Sequence, residues 1–226
     1  GVVLTHKNHV SNFIAASATM KMTSDFVGIS YLPLCHVYER MINYMFQYAG
    51  VSIYYAESLT TIMDNFKEVK PDVVAVVPLF IEKIFSGILE KGRTEKGLKK
   101  RVFNWAIKKA KDPNFYNRKG LSYMLANKLV YNKIRGSLGG NLKRIICGAA
   151  ALPLEINHKF WNFGLPIYEG YGLTETSPLV SVNHFGDVRQ GSIGKVLDGV
   201  SVKISSEGEI LCKGPNVMQG YYKDIN

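Results

Sequence analysis

Between Pro71 and Pro78 the chain reads Asp72, Val73, Val74, Ala75, Val76, Val77, an apolar run with no polar residue at alternate positions. A strand of that composition must bury both faces, and such strands belong to sheets with helices packed above and below. The rest of the chain repeats the pattern. Val2, Val3 and Leu4 suggest a short first strand, residues 25–34 a second stopped by Pro33, residues 51–55 a third and residues 142–147 a later one. Between them lie helical spacings: Val10, Phe13, Ile14 and Ser17; Met41, Met45 and Tyr48 before the stop at Gly50; then residues 59–69 and 80–89. Strands alternating with helices predict an α/β fold, a layered body whose largely parallel sheet is covered by helices.

Beyond Pro178 the texture changes to short β-segments with turn signals at Asp198, Gly199 and at Glu207, Gly208. Closely spaced hairpin signals predict part of an antiparallel barrel or sheet packed on the α/β body. The expected organisation is therefore residues 1–178 as α/β body and 179–226 as a β-rich part. Residues 91–140 form a basic helical insertion, broken at Asp112, Pro113, Asn114.

Charge marks that insertion out. The formal net charge is +10, yet residues 91–144 carry 16 Lys or Arg against only Glu95 and Asp112. An excess of that kind suits a polyanion, whether anionic lipid, nucleic acid or a phosphorylated ligand, and equally suits a solvated face on connecting helices. The longest uncharged run, 41–56, is interrupted by Asn43, Gln47, Gly50 and Ser52, so nothing matches the roughly 20 apolar residues of a membrane span. The first ten residues lack the basic start and apolar core of a signal peptide. Cys35, Cys147 and Cys212 are odd in number without CxxC spacing, which argues against a disulfide framework or zinc site and for a reducing cytoplasm. Cys147 is either a pocket thiol or a buried apolar residue.

Residues 168–178 read Tyr, Glu, Gly, Tyr, Gly, Leu, Thr, Glu, Thr, Ser, Pro, a mixture that suits neither a buried strand nor an amphipathic helix. Gly170 and Gly172 are expected to allow positive φ and close approach of a ligand, and Tyr171 offers a ring for stacking. Thr174 and Glu175 put a neutral and an anionic oxygen side by side, hard ligands of the kind that hold magnesium on a nucleotide phosphate. A Gly-rich turn with a solvated glutamate has the same composition. Upstream, His36 stands where a strand hands over to a helix, and ligands of α/β sheets bind at such carboxyl ends. Gly148 and Ala149 follow a predicted strand and lack bulk, which lets a ligand lie against the main chain or simply opens a helix.

The run PIYEGYGLTETSPLVSV from Pro166 closely resembles the adenylate-forming signature of the acyl-CoA synthetase, luciferase and peptide-synthetase adenylation superfamily. Two further blocks, LPLCHVYER from Leu32 and KLVYNKIRGSLGG from Lys128, resemble its bacterial long-chain fatty-acid:CoA ligases, and GEILCKGPNVMQGYY from Gly208 resembles a recurrent block of the superfamily. The resemblance implies ATP-dependent activation of a fatty acid as an acyl-adenylate, assisted by Mg2+, and transfer to CoA. It implies that Tyr171 stacks on adenine, that Gly148, Ala149, Glu169, Gly170 and Gly172 line the nucleotide site, and that Thr174 meets the α-phosphate. It places His36, Val37 and Gly170 beside the acyl group and makes Glu175 the magnesium ligand, with Thr174 and Glu175 as the charge-handling catalytic pair. It also implies a phosphate loop before Gly1, and a ribose-binding Asp and a catalytic-lysine domain after Asn226. The 226 residues alone are then expected to form a binding core with little ligase activity. The partners expected are fatty acid, ATP, CoA and an anionic membrane face met through 91–144, with no specific nucleic acid. Activation of an aryl or amino acid for a carrier protein, or a non-catalytic sensor keeping the nucleotide pocket, are the rival readings.

Overall fold

A computed structural model describes residues 1–118 and 120–224; Lys119, counted in the basic segment, and residues 225–226 lie outside the described residues. Its centre is a seven-stranded sheet of order β3, β2, β4, β5, β6, β7, β8. The strands are β2 (Val27–Ser30), β3 (Ser52–Tyr55), β4 (Val73–Val76), β5 (Arg144–Cys147), β6 (Ile167–Gly172), β7 (Leu179–Val182) and β8 (Lys195–Val196). From β3 to β6 every pairing is parallel; β7 and β8 run antiparallel.

Helices cover both faces, as the apolar strands require. Period-two alternation sends Val73 and Ala75 of β4, Ile146 of β5 and Tyr168 of β6 to one side, against α1 (His6–Met20) and α2 (Val37–Ala49). Val74, Val76, Ile145, Cys147 and Ile167 face the other way. They pack with α3 (Ile62–Val69), α4 (Pro78–Thr94), α5 (Gly97–Lys109), α6 (Leu121–Ala126), α7 (Asn132–Ser137) and α8 (Leu154–Asn162). A π-helical turn, Asn127–Tyr131, joins α6 to α7, so 121–137 is one helical run. Helix α2 stops at Gly50, which adopts φ 75°, the left-handed cap that the sequence predicts there. Helix α3 starts later than expected, because Ser58, Thr60 and Thr61 bond their hydroxyls to one another in a turn.

The change of texture predicted after Pro178 arrives later in space than in sequence. β7 and β8 extend the main sheet, and only β9 (Ser201–Ile204) with β10 (Ile210–Lys213) form a separate hairpin. A further ribbon pairs β1 (Val2–Val3) with β11 (Gly220–Tyr221), tying the two ends of the described chain together. Part of the basic excess is absorbed by the fold. Lys143 pairs with Asp72 at 2.8 Å, and the buried Arg144 stacks on Phe185 and donates to the Met20 carbonyl. Arg135 caps the Phe163 carbonyl.

Candidate functional site

Because β2, β4, β5 and β6 are parallel, their carboxyl ends share one edge of the sheet. The sequence-predicted residues gather there. β2 leads to His36 and Val37, β5 leads to Gly148 and Ala149, and β6 ends in Gly170, Tyr171 and Gly172. His36 is the exposed N-cap of α2 and makes no capping bond with its side chain. Tyr38, the second residue of α2, donates to the Ile146 carbonyl at 3.0 Å and leans on Gly148, where an added Cβ would lie 3.3 Å from its ring. Ala149 takes φ 71°, so the strained left-handed position of this turn belongs to an alanine.

The structure corrects the expected conformation of 168–178. Ile167–Gly172 is a strand with Tyr168 and Glu169 buried, and neither Gly170 nor Gly172 has positive φ. The glycines serve close packing. A Cβ on Gly172 would fall 1.9 Å from the Pro178 carbonyl oxygen, and one on Gly170 would fall 3.0 Å from Leu179. They let β7 fold back directly on β6, with a register shift between Tyr171 and Gly172. The positive φ in this stretch is that of Ser177, 67°.

Alternation puts Tyr171 on the same sheet face as Glu169, with its ring half-buried at the edge. Glu169 itself is engaged. Asn157 of α8 donates to its carboxylate, Asn183 donates to its carbonyl, and burial pushes its pKa up. Its side chain fastens β6 to α8 and reaches a nucleotide only at the cost of that bond. Thr174 is exposed and Glu175 half-exposed, in the 3₁₀ turn Thr174–Thr176.

That turn is held by groups the sequence reading did not single out. Thr176 donates to the Pro178 carbonyl, and Asn216 donates to the carbonyls of Thr176 and Leu179. Asn12 of α1 makes a reciprocal pair with the Leu179 main chain. The Met218 amide donates to the Glu175 carbonyl at 2.8 Å, and the Tyr221 hydroxyl to Glu175 Oε1 at 2.9 Å. Apart from the local Thr176 bond, these contacts span from 37 to 167 residues and leave no local pattern to read.

A second carboxylate at this edge was also missed. Glu39 sits buried under the first turn of α2, bonded to Ser30 and Asn43, and burial raises its pKa to about 7. A charged residue among Met41, Ile42 and Met45 was the available signal. Cys147 is a core residue, with its thiol pushed up to about 12 by burial, so the pocket-thiol alternative fails. A groove of about 650 Å³ between α1 and α2 is lined by His6, His9, Arg40 and Tyr44. Burial, then Arg40 and His6, lower the pKa of His9 there.

Among the described residues no three His, Cys, Asp or Glu side chains cluster as a metal site. A cation at Glu175 would take its other ligands from phosphate and water, which is how Mg2+ is commonly held on nucleotides. The donor set fits.

Residues 1–222 match the family described as AMP-binding enzyme. The chain belongs to that family. Among the relatives of this AMP-binding chain, the peroxisomal long chain acyl-CoA synthetase 6 of Arabidopsis thaliana is 36% identical over 99% of it and 34% of the relative. The long-chain-fatty-acid–CoA ligase FadD15 of Mycobacterium bovis is 34% identical, over 86% of this chain and 33% of its own length. The AMP-binding chain thus spans about a third of these relatives. The o-succinylbenzoate CoA synthetase of Bacillus subtilis, solved with an acyl-adenylate, has the same fold at TM-score 0.67 and 18% identity. The match covers 100% of this chain and 40% of that one.

Proposed function

We propose that the protein carrying this chain activates a long aliphatic carboxylate with ATP and passes the acyl group to CoA. The observation that carries the reading is the convergence at one sheet edge of His36 and Val37, the Gly148, Ala149 turn and the 170–175 segment. Relatives named as long-chain ligases support the substrate class. The carboxylate is already an anionic nucleophile, so the first step needs orientation and charge stabilisation more than proton transfer. It attacks the α-phosphorus as the bond to pyrophosphate breaks; the CoA thiol then displaces AMP from the acyl carbon. Tyr171 offers its ring to adenine, and the small Gly148 and Ala149 let the nucleotide lie against the end of β5. Thr174 donates its hydroxyl to the α-phosphate, and Glu175 is the magnesium ligand. Mg2+, when bound, neutralises phosphate charge. His36, the N-cap of α2, and Val37, its first residue, face the acyl carboxyl end. On this reading the enzyme is cytoplasmic and meets the inner face of a membrane through residues 91–144, where its substrate partitions.

The test is ATP:pyrophosphate exchange by the full-length protein with acetate, octanoate, palmitate, an aryl acid and amino acids. Exchange rising with aliphatic length is the expected outcome. Exchange with only an aryl or amino acid would move the protein to carrier-protein chemistry, and none with any acid would make it a sensor.

A further inference from the structure

The helical run 121–137 has two apolar faces, and the fold uses one. Ala126, Val130, Ile134 and Leu138 are buried, and Tyr131 donates to the Ala106 carbonyl of α5. On the outward side Leu121, Met124, Leu125 and Leu129 are 73%, 60%, 44% and 44% exposed. Single exposed leucines are ordinary, but four along one helix form a stripe that water disfavours. The surroundings are basic. Neither 121–137 nor the adjoining α5 contains an acid. Lys128 and Lys133 are exposed on the run itself, and Lys99, Lys100, Arg101, Lys108 and Lys109 on α5. Lys109 and Leu121 border one groove, where Asp112 is the acid.

An apolar stripe with a cationic surround and almost no acid matches the boundary of an anionic bilayer: hydrocarbon below, phosphate above. We propose that the 121–129 stripe docks on an anionic lipid surface, with Leu121, Met124, Leu125 and Leu129 entering the headgroup region and Lys109, Lys128 and Lys133 meeting lipid phosphates. The proposal rests on the ligase reading for its purpose and on the membrane contact of 91–144 for its place. It adds that the contact is part apolar, so it survives salt that would dissolve a purely electrostatic one. No helix among the described residues is long and apolar enough to cross a membrane, which leaves surface docking as the mode for this run.

Cosedimentation of the full-length protein with phosphatidylcholine vesicles, and with vesicles mixed with phosphatidylglycerol, tests it at low and high salt. The wild type is expected to prefer the mixed vesicles and to keep part of its binding at high salt. Leu121→Gln with Leu125→Gln should weaken partitioning on the order of tenfold at both salts. Thermal midpoint and exchange activity should not change, since both side chains are exposed in this chain; a lowered midpoint would show the stripe covered within the full-length protein and overturn the proposal. Lys109→Gln with Lys128→Gln should weaken it at low salt only. Leucine variants that bind like wild type, while the lysine variants do not, overturn the stripe and leave an electrostatic contact. Wild-type protein that ignores both vesicles overturns the membrane contact too, without touching the exchange assay. Leucine variants that abolish self-association in sedimentation equilibrium, with vesicle binding intact, assign the stripe to a second copy and overturn the proposal.

Discussion

At the first turn of α2 a carboxylate does the fastening, whereas at the 173–178 turn neutral amides and a bare glycine do it. Glu39 is buried against Ser30 and Asn43, so its carboxyl group is spent on holding the helix to β2. Glu175 keeps its carboxylate half-exposed because Asn12, Asn216, Thr176 and the contact of Gly172 with Pro178 already hold its turn. On the proposed reading Glu175 is the group that meets a cation, with the Tyr221 hydroxyl on Oε1 as its partner in the fold, and the two regions divide the labour.

Gly172→Ala should break the second region most severely. Its Cβ would meet main chain rather than a flexible side chain, so a loss of about 3 kcal/mol or failure to fold is expected in chemical denaturation. The first region is tested by pH. Glu39 holds a proton in the folded state up to about 7, against 4.5 for an unperturbed glutamate, so folding binds a proton in that window. Stability should therefore fall as pH rises from the lower value through the higher, by up to about 3 kcal/mol, and Glu39→Gln should flatten the slope. Glu175→Gln in the full-length protein should leave stability within about 0.5 kcal/mol but cost about a hundredfold in exchange rate. If it unfolds the protein instead, the contrast with Glu39 is lost. Tyr221→Phe is the smallest. Losing the bond to Glu175 Oε1 removes what orients the carboxylate, and the Mg2+ concentration for half-maximal exchange should rise a few-fold with the maximal rate kept.

The parallel pairing of β2 to β5 was legible because the strands are apolar on both faces and alternate with helices. The candidate site was legible as a cluster of residue types but not in its backbone shape. Gly170 and Gly172 read as hinges, yet they are packing positions in a strand, because a glycine needed for left-handed backbone and one needed for a missing Cβ look the same in sequence. Glu169 read as a ligand and is a buried tie to Asn157. β7 read as the start of a new part and, with β8, extends the main sheet.

By itself the sequence determined the alternation of elements, the helix stop at Gly50 and the clustering of small and hydroxylated residues after β5 and β6. These follow from short-range sterics and from hydrophobic period, which act over a few residues. Only the tertiary structure decided which carboxylate is buried and which stays open, and that Asn12, Asn216 and Tyr221 converge on one turn from opposite ends of the chain. Burial and long-range hydrogen bonding depend on what packs above a residue, and the sheet sets that neighbour many residues away.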